Sequence, residues 1–134
     1  MNIQTFFTLY ILALPIFIVI DFLWLGVIAK SLYKNQIGHL LGDVNWFAAF
    51  IFYGIFVLGL TFFVLYPAAT RGTLATALVL GGLFGFFAYA TYDLTNLSIL
   101  KSWPVTITIV DIVWGTILGA TVSVATVFLF TLMK

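Results

Sequence analysis

Every acidic residue in this chain is an aspartate, and three of the four, Asp21, Asp93 and Asp111, stand inside long apolar runs. A carboxylate at the centre of a membrane helix costs about 2.5–3.5 kcal/mol on insertion scales, so such residues mark ion, proton or substrate sites by default. In that setting an aspartate serves as acid, base or counter-ion to a cationic group, and these three are the candidate catalytic residues. Trp24 follows Asp21 by three positions, and Trp114 follows Asp111 by three. Helical spacing of three keeps each indole on its aspartate's face. Tyr92, Thr95 and Asn96 stand around Asp93. These five complete a candidate ligand-binding set.

Three ionised carboxylates at one depth in a low dielectric repel strongly. The repulsion is lifted by protons, by a metal cation, or by an organic cation assisted by tryptophan faces. Alternatively the acids are neutral, satisfied by Tyr92, Thr95 and Asn96, and act as structural glue. A metal is the weaker reading. The chain has no cysteine and no glutamate, and no paired D-x-x-D spacing on one helix. His39 is alone in a connecting segment and reads as solvated. No metal and no cofactor are called for. Asp43, just ahead of an apolar run, reads as a helix cap.

The elements that must position these residues follow from composition. Of 134 residues, 64% are hydrophobic and 7% charged, against about 25% charged in a soluble domain. That excludes a soluble domain, a disordered chain and a disulfide scaffold. Five scattered cations and a net charge of +1 also exclude a nucleic-acid partner. A membrane-crossing helix needs about 20 apolar residues. Four runs qualify: 5–29, 46–66, 73–99 and 105–132. They predict one all-α membrane domain over residues 1–134, an up-down four-helix bundle. The runs lack the alternation of barrel strands. The first has no basic n-region or A-x-A site, so it reads as a retained helix rather than a signal peptide. Pro15 within it is expected to bend it. The connection 30–43 has room for a short interfacial helix, and 67–72 and 100–104 read as tight turns.

Four crossings put both ends of the chain on one side, here side A. Lys30, Lys34 and Lys101 then fall on side B, and Arg71 and Lys134 on side A, a small positive-inside excess that points side B to the cytoplasm. Near side B the lysines read as ordinary topology determinants. At 1.5 Å per residue, Asp21, Asp93 and Asp111 each lie roughly 9–12 Å inside side B. All four tryptophans fall near the same side, Trp46 and Trp103 as an interfacial belt. Gly81, Gly85, Tyr89 and Asp93 recur at steps of four, as do Asp111, Gly115, Gly119 and Ser123. Such stripes let membrane helices approach closely. They suit packing within one chain or a homodimer, and the spacing leaves both open.

The blocks Tyr92-Asp93-Leu94-Thr95-Asn96, Trp103-Pro104, Asp111-Ile112-Val113-Trp114-Gly115 and Asp21-Phe22-Leu23-Trp24-Leu25 resemble an uncharacterised family of small bacterial membrane proteins, a domain of unknown function. The resemblance covers nearly the whole chain. It implies a four-helix fold in the bacterial inner membrane and supplies no activity. The residues support three functional readings. In the first, a side B pocket binds or processes a lipid-like or cationic amphiphilic molecule among the membrane lipids. The second is a small proton-coupled transporter, which needs acids reached alternately from both sides. The third is a helical partner subunit without catalysis.

Overall fold

Long apolar runs make helices because only a helix satisfies its own backbone in hydrocarbon. The computed structural model describes residues 1–134 and contains six α-helices: α1 (Ile3–Leu23), α2 (Lys30–Ile37), α3 (Trp46–Leu60), α4 (Tyr66–Arg71), α5 (Leu74–Ile99) and α6 (Val105–Leu132). Wider π turns over Trp24–Ile28 and Thr61–Leu65 extend α1 and join α3 to α4. Four continuous spans result, each long and apolar enough to cross a membrane: Ile3–Ile28, Trp46–Arg71, Leu74–Ile99 and Val105–Leu132. The protein is an all-α, four-helix membrane bundle.

Two local features differ from the sequence reading. The segment 67–72 is not a turn, because the second span runs helically to Arg71. Proline lacks an N–H and crowds the carbonyl four residues earlier. The π turn immediately before Pro67 changes the bonding register there, with the Tyr66 N–H reaching the Thr61 carbonyl. Asp43 does not cap the second span. The Asn45 side chain does, accepting from the Ala48 N–H at 3.1 Å. Asn45 directly precedes the first helical residue, whereas Asp43 lies two residues too early to reach the free N–H groups of the first turn. α1 carries Pro15 inside a continuous helix that passes into the π turn at Trp24.

α5 and α6 form the tightest pair, and their glycines explain why. A Cβ on Gly85 or Gly119 would fall onto the carbonyl of Gly115 or Gly81 respectively, and one on Gly115 would fall onto the Tyr89 ring. The two stripes of small residues therefore pack against each other within one chain, leaving the backbones in direct contact. α1 lies against α6, and α3 against α1. α3 approaches α5 chiefly through the π turn at Thr61–Leu65, on the side A half. The continuous apolar core lies toward that half, where Leu9, Ala13, Leu60, Val64, Leu65 and Val122 are buried. Toward side B, α3 and α5 diverge and leave a wedge between them.

Candidate functional site

The wedge is a cleft of about 450 Å³. α1 supplies Asp21 and Leu25, and α3 supplies Ala49, Phe52, Tyr53 and Phe56. α5 supplies Ala88, Tyr89 and Tyr92, and α6 supplies Asp111 and Trp114. Tyr33 and Ile37 of α2 and Trp103 of the α5–α6 connection close the side B end. The wall is aromatic and apolar apart from two carboxyl groups and the tyrosine hydroxyls. No lysine, arginine or histidine lines it.

Both lining aspartates are buried, Asp21 at 4% exposure and Asp111 at 6%. Asp21 accepts the Trp114 indole N–H at 3.4 Å, and the Tyr53 hydroxyl stands beside it. Asp111 accepts the Tyr33 hydroxyl, which in turn accepts the Trp24 indole N–H at 3.2 Å. The two indoles stack, with centroids 4.3 Å apart and planes 6° apart. Trp114 of α6, Tyr53 of α3, Tyr33 of α2 and Trp24 of the turn that extends α1 thus surround the two acids. Burial pushes the Tyr33 phenol well above the ordinary tyrosine range, and its hydrogen bond to Asp111 adds to the effect.

The α5–α6 ladder carries Asp93 to Asp111, so that the two carboxyl groups are neighbours. Asp93 is fully buried and does not line the cleft. Its neighbours on α5 divide. Tyr92 lines the cleft rim and meets Trp103 edge-to-face at 6.1 Å. Thr95 is exposed on the opposite face. Two residues along a helix is a rotation of about 200°, so Thr95 cannot flank Asp93. Asn96 is half-buried and outside the cleft lining.

Tyr33, Tyr53 and Tyr89 are the polar lining groups to which the motifs do not point. Tyr89 stands out in the sequence only as a member of a packing stripe. Tyr33 belongs to a polar connection, although its spacing of four from Ile37 marks the inward face of the short helix α2. Trp103 belongs to the cleft as well as to the side B end of the bundle.

Four spanning helices around an acid-bearing interior define a polytopic membrane protein. The chain belongs to the family described as predicted membrane protein (DUF2177), which it matches over residues 6–128. No curated protein matches the chain, and no solved structure does.

Proposed function

We propose that the cleft binds a cationic amphiphile within the bilayer, with its ammonium or amine group between Asp21 and Asp111. Its hydrocarbon chain would then lie along Phe52, Phe56 and the divergence of α3 from α5. What carries this reading is the composition of the wall: buried carboxyl groups, tyrosine and tryptophan faces, and no cation. An apolar site with a few convergent polar groups is the usual form of a small-molecule pocket. Aromatic faces beside anionic groups favour an alkylated ammonium, whose weak hydration makes it cheap to bury. The cleft reaches the side B end of the bundle, so a lipid of that leaflet would enter with its ammonium drawn below the headgroup level to the two acids.

The test uses the full chain in lipid nanodiscs, titrated with dodecyltrimethylammonium or with the neutral dodecanol, and read by tryptophan emission. The ammonium probe should give a saturable change that dodecanol does not. Asp21→Asn should weaken it about tenfold, the equivalent of ~1.4 kcal/mol. Equal responses to both probes would leave the acids no part in recognition. In proteoliposomes, pH-driven movement of the same ammonium ion would assign transport to the cleft. Chemical conversion of an amphiphile from a lipid extract, without movement, would assign an enzyme.

A further inference from the structure

We propose that Asp93 and Asp111 hold one proton between them, a carboxylic acid paired with a carboxylate, and form a buried proton-binding site on the α5–α6 seam. Asp93 is the least explained polar group in the bundle. It is 0% exposed, and neither carboxyl oxygen accepts a hydrogen bond from any N–H or hydroxyl of the protein. The polar group beside it is the carboxyl of Asp111. An ionised carboxylate only accepts hydrogen bonds. Two ionised carboxylates therefore cannot satisfy each other, and each would add its charge to the other's burial cost. One proton changes the chemistry: the protonated group donates, the ionised one accepts, and both are satisfied.

The surroundings leave the proton as the fitting occupant. Facing the pair are Asp21 from α1, Tyr33 from α2 and Tyr89 and Tyr92 from α5, with Tyr53 of α3 in the same cleft beside Asp21. None is a cation. A hard divalent ion needs about six oxygen ligands, more than this sealed seam offers. Tyr33 already donates to Oδ1 of Asp111, which leaves the rest of that carboxyl's accepting capacity for Asp93. Uptake is a single proton transfer: a hydronium ion of the aqueous phase gives one proton to the dianionic pair, which becomes a monoanion, and leaves as water. Asp93 lies outside the cleft lining and Asp111 within it, so the assignment is made for the protein with no added amphiphile.

The chain makes the test clean, since its four aspartates and the C-terminus are its only carboxyl groups. Infrared spectra of the protein in dodecyl maltoside, a detergent without carbonyl groups, at neutral pH should show a protonated-carboxyl C=O stretch that moves to lower frequency in deuterated buffer. Asp93→Asn and Asp111→Asn should each remove it, and Asp21→Asn should keep it. Absence of the band from the unmodified protein would overturn the proposal, and that measurement needs no variant to fold. So would a band that survives in both seam variants or disappears in Asp21→Asn. Tyr33→Phe, which retains every carboxyl, should keep the band and shift its frequency, because Asp111 loses its phenol donor. An unshifted band would remove Asp111 from the pair.

Discussion

Trp24 and Trp114 stack face to face, centroids 4.3 Å apart, while their indole N–H groups serve different acids. Trp114 donates directly to Asp21, and Trp24 reaches Asp111 through the Tyr33 hydroxyl. The stack crosses from α1 to α6 and ties two acid-bearing helices together at the level of the cleft. Parallel indoles this close couple their excited states. The near-ultraviolet circular dichroism should therefore contain a tryptophan couplet that Trp24→Phe and Trp114→Phe each abolish. Loss of the pair should also cost about 0.5–1.5 kcal/mol beyond the area lost. A couplet that survives either change would separate the two rings.

Tyr33 gives the protein an alkaline sensitivity whose sign can be worked out. Its folded pKa is raised, first by burial and then by Asp111. In the unfolded chain it titrates near the ordinary value of about 10. Below that pH both states hold the proton and stability is unaffected. Above it the unfolded chain releases the proton and the folded protein does not, so stability falls as pH rises. Thermal unfolding followed between pH 8 and 11 should show this decline, and Tyr33→Phe should make it shallower. At neutral pH the same variant should lose about 1.5–3 kcal/mol, the worth of a hydrogen bond to a charged group.

Two glycines distinguish the packed α5–α6 seam from the exposed end of the first span. Gly85→Ala should destabilise by at least ~1–3 kcal/mol, since the new methyl would meet the Gly115 backbone rather than a movable side chain. A methyl at Gly26 would meet nothing within 4 Å, and none of the glycines has positive φ. Gly26→Ala should be neutral, or stabilising by about 0.4–1 kcal/mol, through the unfolded chain. Melting temperatures in one detergent compare the two directly, and equal effects would contradict the α5–α6 register.

Capping of the second span provides a local check. Asn45→Ala should cost about 1 kcal/mol by freeing the Ala48 N–H, while Asp43→Asn should leave the melting temperature unchanged. The reverse order would return the cap to Asp43.

Much of this is legible in the residues. Four apolar runs settle the class and the number of spans, because length and hydropathy alone decide what can cross hydrocarbon. The depth of Asp21, Asp93 and Asp111 also follows from counting residues, since helical rise is constant. Angular position is harder to read. Proximity in sequence groups Thr95 with Asp93, yet a two-residue step turns it to the far face. Tyr33 looks like part of a polar connection until α2 folds back over the bundle.

Tertiary structure decides what each polar group meets. Both glycine stripes are plain in the sequence, but whether they join one chain or two depends on which helices are neighbours. Packing puts Gly85 on Gly115, and the same register carries Asp93 to Asp111 and out of the cleft. The cleft itself has no sequence signature, since it arises where α3 diverges from α5. Spans and depths are properties of single helices, which local hydropathy and fixed rise encode. Contacts between helices depend on relative rotation and spacing, which only the packed side chains determine.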